Sequence, residues 1–258
     1  MNERSSFPWP NGAVAAVSLS FDDTRPSQLD HGLAVLDAHG IKATFYASPQ
    51  SMESRADDWG RVLGAGHEIG NHTVSHPCSG NFCWSRGNAL EDYTIERMEA
   101  EIRECSERIR KALGVVPSTF GYPCGQTYVG RGENLQSYIP LVARMFLAGR
   151  GFMAESMNDP QACDLANLTS FSIDHVDHGF IRMEADLKAM VEHACKAGSW
   201  LILTGHDVGR EPKHQTITVS ELDGLCRLLK DPARRIWTAT VADAANYLRE
   251  SRASSKAV

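Results

Sequence analysis

The chain reads as an α/β protein on a parallel sheet, either a barrel or a doubly wound sheet. Three observations predict this. Short apolar runs of strand length alternate with longer amphipathic stretches, a pattern that gives parallel pairing through right-handed crossovers. Gly and Pro mark the boundaries between them. Carboxylates and histidines fall just past the apolar runs, where α/β folds expose the C-terminal ends of their strands.

The first strand is Ala15-Ala16-Val17-Ser18-Leu19-Ser20-Phe21, ending on Asp22-Asp23 and then Thr24-Arg25-Pro26. Gln28 to Ala38 reads as a helix stopped by Gly40, and Ala43-Thr44-Phe45-Tyr46-Ala47 as the second strand. Ser54 to Leu63 is a second helix, after which Glu68-Ile69-Gly70-Asn71 leads into a histidine pair. Leu90 to Leu113 is the longest helical pattern, its Glu and Arg residues a solvated face, with Gly114 beyond its end. Later strands are expected at Ser118-Thr119-Phe120, Leu168 to Ile173, Trp200 to Thr204 and Arg235 to Thr238, the last three separated by helices at Glu184 to Lys196 and Val219 to Leu229.

At 258 residues, 42% hydrophobic and 22% charged, the chain can bury one large core. One domain is expected over 1–258, its core about 15–248, with a frayed tail from Ser251 to Val258. A net charge of -6 argues against a nucleic-acid partner, which calls for a basic excess. No window approaches a membrane span, and the first ten residues lack a signal-peptide core. Seven cysteines spread from Cys78 to Cys226 without dense pairing suggest reduced thiols. A cytoplasmic protein with no membrane partner is therefore expected, and no feature specifies an oligomeric state.

The chemistry starts at Asp22-Asp23. As a local feature the pair also suits a helix cap ahead of Pro26. His72-Thr73-Val74-Ser75-His76 puts two imidazoles one helical turn apart, in a short loop after a strand. With Asp23 the two histidines make a two-imidazole, one-carboxylate set that leaves a coordination position open, as catalytic zinc sites do. Asp22 is then the spare carboxylate, free to take a proton. A rival is a structural four-ligand site from His72, His76, Cys78 and Cys83, which leaves the paired aspartates unexplained. His206, just past the apolar run to Thr204, emerges beside Asp22 if its strand is parallel to the first, and suits acid catalysis near neutral pH.

Ser20-Phe21-Asp22-Asp23, His72 to His76 and Leu203-Thr204-Gly205-His206 resemble the first, second and fifth motifs of the NodB-type polysaccharide deacetylases, carbohydrate esterase family four. The resemblance runs from about Ala15 to Leu248. It implies a distorted (β/α) barrel with a cleft at the strand C-termini, loaded with zinc or another divalent transition metal. It implies Asp23, His72 and His76 as metal ligands, Asp22 as general base and His206 as general acid in hydrolysing an acetyl amide or ester. Thr73 and Ser75 would steady the histidine loop by hydrogen bonds.

Two motifs depart from the family pattern. The third reads Gly121-Tyr122-Pro123-Cys124-Gly125 where the family has Arg first and an aromatic fourth. The implied oxyanion contact is then the Cys124 backbone N–H. The guanidinium that orients the base must come from elsewhere, with Arg25, Arg144, Arg150 and Arg182 as candidates. For the fourth motif, Asp174 or Asp177 would orient His206, Asp174 being nearer the strand end, while His175 and His178 are free for substrate or a second metal. Tyr46, Phe82, Trp84, Tyr122 and Tyr128 are candidates to stack on sugar rings, or simply core residues. Pro77 to Asn88 is the candidate lid. Three functions fit: a carbohydrate deacetylase, a small amide or cyclic imide hydrolase like the allantoinase relatives, or a metal-retaining carbohydrate binder that lost catalysis with its Arg.

Overall fold

The computed structural model describes residues 7–153, 156–175 and 184–255. The strands are β1 (Ala15–Asp22), β2 (Thr44–Ala47), β3 (Glu68–Asn71), β4 (Thr119–Gly121), β5 (Tyr128–Val129), β6 (Gln136–Ser137), β7 (Ala148–Arg150), β8 (Phe171–Ser172), β9 (Trp200–Gly205), β10 (Asp207–Gly209), β11 (Thr216–Thr218) and β12 (Ile236–Thr238). The helices are α1 (Leu33–Ala38), α2 (Pro49–Glu53), α3 (Ala56–Gly64), α4 (Ile95–Leu113), α5 (Ile139–Met145), α6 (Glu184–Ala197), α7 (Val219–Lys230) and α8 (Val241–Ser255).

Eight strands form one parallel sheet in the order β7-β4-β3-β2-β1-β9-β8, with β12 also paired to β1. Its two ends meet at one parallel bridge, Arg150 to Leu168, where Gly151 N–H donates to the Leu168 carbonyl (2.7 Å) and Leu168 N–H to the Gly149 carbonyl (2.8 Å). The sheet is thus a distorted barrel, closed by a single rung. β5 and β6 make a small antiparallel ladder, and β10 and β11 a parallel one.

All eight residues of β1 are buried, and the period-2 alternation divides them between two environments. Val17, Leu19 and Phe21 pack into the apolar layer beneath the helices, where Phe21 stacks on Phe45 and Phe45 meets Trp59 edge-on. Ala16, Ser18, Ser20 and Asp22 take the other face, with Trp200, Ile202 and Thr204 across the ladder from them. There the Ser20 and Thr204 hydroxyls lie 3.0 Å apart, and Thr204 donates to Ser170 (3.0 Å). The same face of β2, β3 and β4 carries Glu68, which accepts from Thr44 (2.7 Å) and Thr119. The barrel interior below Asp22 thus mixes hydroxyl side chains and the Glu68 carboxylate with the apolar Trp200 and Ile202.

Most expected elements form, with shifted ends. The Gln28 helix opens as a widened turn over Gln28–Gly32, Leu33 N–H reaching back to the Gln28 carbonyl, before α1 begins. α4 starts at Ile95, because the Thr94 side chain accepts from Arg97 N–H and fixes the N-terminus there; Gly114 ends it at φ 75°. Of the expected strand from Leu168 to Ile173, only Phe171–Ser172 pairs as a strand. β7, α5 and α8 had no clear sequence signal. β7 is three residues long, and the α8 pattern is interrupted by a run of Ala, Ser and Arg.

Phe45 is buried between Phe21 and Trp59, so Phe45→Ala is expected to lower the unfolding free energy by about 3–5 kcal/mol. Val116→Ala, at an exposed site, is expected to change it by under about 0.5 kcal/mol in the same urea titration.

Candidate metal centre and flanking acid and base

The β1–β9 ladder puts Phe21 opposite Gly205, so the next residues on the two strands are Asp22 and His206. Both face the top of the barrel interior. Asp23 turns out of β1 at φ 72°, bringing its carboxylate to the histidine loop. That loop is not the helical turn expected from the spacing. β3 ends at Asn71, and Thr73 (φ 63°) and His76 (φ 49°) bend the chain so that both imidazoles meet. Asn71 Oδ1 accepts from Thr73 N–H (2.9 Å) and Thr73 Oγ1 accepts from His76 N–H (3.1 Å). Glu101 on α4 accepts from Val74 N–H (3.0 Å), Ser75 N–H (3.0 Å) and Ser75 Oγ (2.6 Å).

One ligand atom each from Asp23, His72 and His76 lies within 4.8 Å of the others. His72 Nδ1 is 2.7 Å from the Gly121 carbonyl oxygen, which can only accept, so Nδ1 carries a proton and Nε2 is the ring nitrogen left to face the carboxylates. That Nε2 is buried with no hydrogen-bond partner, and it lies 3.8 Å from both Asp22 Oδ2 and Asp23 Oδ1. His76 Nε2 is 3.9 Å from Asp23 Oδ1. Two imidazole nitrogens and two carboxylates converge here with no hydrogen bond between them, a spacing that leaves room for a cation in their midst. The donor set therefore fits a divalent metal. Burial, with His72 beside it, pushes the His76 imidazolium down to about 4, which keeps its ring neutral for ligation. Burial alone would raise the Asp23 carboxyl; the positive charge around it, with Arg25 at 2.9 Å, outweighs burial and holds it far below the usual range.

Of the four candidate arginines, Arg150 reaches Asp22. Its Nη2 donates to Asp22 Oδ1 with both side chains buried, and the guanidinium lies over the Tyr46 ring at 4.6 Å. Arg150 is the cross-strand neighbour of Gly121, so the charge missing at 121 comes from the adjacent position on β7. A Cβ on Gly121 would lie 2.8 Å from the Tyr46 ring, 2.9 Å from Arg150 Nη2 and 3.0 Å from His72 Nδ1; glycine is needed to admit the guanidinium. Burial pushes the Asp22 carboxyl up, yet Arg150, His72 and His206 together bring it below 3.8. Arg25 instead grips Asp23 Oδ2 (2.9 Å) and Asp207 Oδ2 (2.6 Å). Arg144 is exposed on α5, and Arg182 lies outside the described residues.

Between the two candidate aspartates, Asp174 meets His206. Its Oδ2 is 2.6 Å from His206 Nδ1, and its Oδ1 accepts from His206 N–H (3.1 Å). Burial would lower the imidazolium, but Asp174, helped by Asp22 and Asp23, raises it above 6.5. Asp177 and His178 lie outside the described residues. His175 pairs with Glu221 (2.8 Å).

Several expectations need correction. Tyr122, proposed at the substrate, is fully buried: its ring packs against Phe120 and Tyr138, and its hydroxyl donates to the Ala166 carbonyl (2.7 Å). Tyr46 is likewise buried, beneath Arg150. The thiols are not all reduced, because Cys78 and Cys124 form a disulfide that ties the chain after His76 to the Pro123–Gly125 turn. A pair 46 residues apart left no local spacing signal. With that bond the thiol argument for a cytoplasmic site loses its premise; what stands is that no helix among the described residues is long and apolar enough to cross a membrane. The rival four-ligand site fails too, since Cys78 is bonded to Cys124 and Cys83 is a free, exposed thiol. Phe82 and Trp84 are exposed on the segment after the histidines, stacked at 5.4 Å, with Trp84 6.0 Å from the His76 ring.

Sequence reasoning missed Asn71 and Glu101. Glu101 was hidden among the charges of α4, and Asn71 acts on a backbone N–H, for which sequence has no signature. His72→Ala is expected to abolish stoichiometric zinc retention after dialysis, measured by atomic emission, whereas Asp22→Asn keeps it. Full occupancy in His72→Ala would contradict the assignment.

Comparison with known proteins identifies the family and the fold. The family model described as polysaccharide deacetylase matches residues 11–139. The peptidoglycan-N-acetylglucosamine deacetylase of Bacillus cereus is 39% identical over 115 residues, 43% of this chain and 37% of that protein. The chain spans 10% to 40% of the length of such curated relatives. Among solved structures, a Mycobacterium smegmatis protein described as a polysaccharide deacetylase superposes with a TM-score of 0.70 at 15% identity, over 96% of this chain and 95% of that one. The allantoinase Puue gives 0.63 at 13% identity, over 96% and 95%. At such identities the likeness establishes the fold alone.

Proposed function

The chain belongs to the polysaccharide deacetylase family, and from that premise we propose that it is a metal-dependent hydrolase removing acetyl groups from an N- or O-acetylated carbohydrate. The observation that carries this reading is the partnerless His72 Nε2, facing Asp23 and His76 with Asp22 and His206 on either side. Asp23, His72 and His76 would hold the metal, and two imidazoles with one carboxylate suit zinc. When bound, the ion supplies Lewis acidity toward the acyl carbonyl and the attacking water.

The remaining work falls to the chain's own groups. Asp22, ionised at any pH above its lowered pKa, takes the proton from the attacking water. Arg150 fixes the carboxylate through one oxygen and leaves the other toward the cleft. His206, kept protonated by Asp174, gives a proton to the leaving nitrogen or oxygen. The Cys124 backbone N–H, in a turn at φ 53°, is the candidate donor to the developing oxyanion, and its side chain is already engaged by Cys78. The stacked Phe82 and Trp84 offer an apolar face of the kind sugar rings pack on. Loss of catalysis with the missing Arg was the argument for a silent binder. The Arg150–Asp22 pair removes it.

Acetate release by zinc-reconstituted protein from chitin oligomers, acetylated xylan and N-acetyl sugars tests the reading. Release is expected, and Asp22→Asn is expected to lose it by a factor of roughly 10² or more. No release with metal still bound would move the weight to a small-amide hydrolase or a binder. Activity is expected to fall as pH rises through the His206 pKa, above 6.5, because the acid must be protonated. Asp174→Asn removes the partner that raises that pKa, so this alkaline limb is expected to move to lower pH; an unmoved limb would take the acid role from His206.

A further inference from the structure

The Gln28 side chain is fully buried and sits at the strand ends that carry Asp22 and His206. Its Nε2 donates to the Asp22 carbonyl oxygen (2.6 Å) and to the His206 carbonyl oxygen (2.8 Å), spanning 178 residues of sequence between the second partner and itself. A carboxamide nitrogen has two hydrogens, and each is used once. The amide orientation is set by the chemistry, since the flipped form would point Oε1 at two carbonyl oxygens. Oε1 is buried with no hydrogen-bond partner. An orphaned acceptor in the interior is retained at a cost, so the two bonds on the nitrogen side are what the residue is there to make.

Register gives those bonds their meaning. The β1–β9 ladder runs from Ala16 opposite Trp200 to Phe21 opposite Gly205 and then stops. Asp22 and His206 are the first residues past it, so the Gln28 carboxamide acts as an added rung between their backbones. The surrounding segment is built for this. The widened turn Gln28–Gly32 packs on β10, where a Cβ on Gly32 would lie 3.1 Å from Val208 Cγ2. Ser27 Oγ donates to Asp207 Oδ1 (2.5 Å), and Arg25 joins Asp23 to Asp207. The segment that follows the two aspartates is thus strapped across to the one that follows His206.

We infer that Gln28 is a positioning residue that sets the spacing of the proton acceptor Asp22 and the proton donor His206. The inference rests on the roles proposed above for those two residues. Gln28 makes its hydrogen bonds to the backbone carbonyls of both groups and acts through them. A displacement of about 1 Å between reacting groups can cost about 10²-fold in rate, so Gln28→Met, close in volume but with no donor, is expected to lower kcat by roughly 10- to 100-fold. KM and zinc content are expected to stay within about twofold, because the binding groups keep their own supports; a merely structural role would lower the active fraction and zinc content instead.

The test compares kcat, KM and zinc content of the parent, Gln28→Met, Gln28→Asn and Asp22→Asn, in the zinc-loaded full chain at a temperature where each is folded by circular dichroism. Gln28→Asn keeps both hydrogens but is one methylene short, so it is expected to lose kcat as well, and it carries the test if Gln28→Met does not fold. Unchanged kcat in the Gln28 variants beside an inactive Asp22→Asn would overturn this inference alone. A rise in KM at constant kcat would also overturn it. An Asp22→Asn protein as active as the parent would overturn the reading of the site, and this inference with it.

Discussion

The buried pair between Asp22 and Arg150 is the constraint on which the rest of the site depends. Both side chains are out of solvent, and removing one partner of such a pair leaves an uncompensated charge, at a cost of about 3–5 kcal/mol. The pair dictates its neighbours: Gly121 must lack a side chain, the Tyr46 ring must lie beneath the guanidinium, and β7 must pair with β4 in the register that sets Arg150 opposite Gly121. The short strand β7 also provides the rung to Leu168 that closes the barrel. Closure of the fold and orientation of the candidate base are therefore one arrangement.

Around that pair, the candidate acid and the candidate metal ligands are held by partners of opposite character. Positive charge draws the Asp22 carboxyl down and Asp174 draws the His206 imidazolium up, the directions that the proposed hydrolysis asks of a base and an acid. The histidine loop has no regular structure of its own. It is held by Asn71 and Glu101 and fastened by the Cys78–Cys124 disulfide, three supports from different elements. Loop ligands fixed in this way can match a cation without a helix to carry them.

Much of this was legible in the sequence, for a physical reason. Strands that end abruptly on charged residues, such as β1 and β9, announce both an element and a site, and the parallel fold class followed from their alternation with helices. Asp22, Asp23, His72, His76 and His206 were visible because their chemistry is unusual at such positions, and the described geometry gathers all five. Arg150 could be named only as one of four, because a cross-strand neighbour 29 positions from Gly121 leaves no trace in spacing. The disulfide was hidden likewise. Tyr122 was misjudged because an aromatic next to a motif looks the same whether its ring faces a cleft or a core. Gln28 escaped notice because its work is done on carbonyl groups that every residue possesses.

The most direct measurement of the central claim is the titration of the Asp22 carboxyl by carbon-13 NMR, in metal-free protein labelled at aspartate, for the parent and for Arg150→Met. The account predicts a pKa below 3.8 in the parent and a rise in the variant, where burial remains and the guanidinium is gone. An identical titration in both proteins would contradict it, showing that Arg150 does not set the protonation state of Asp22.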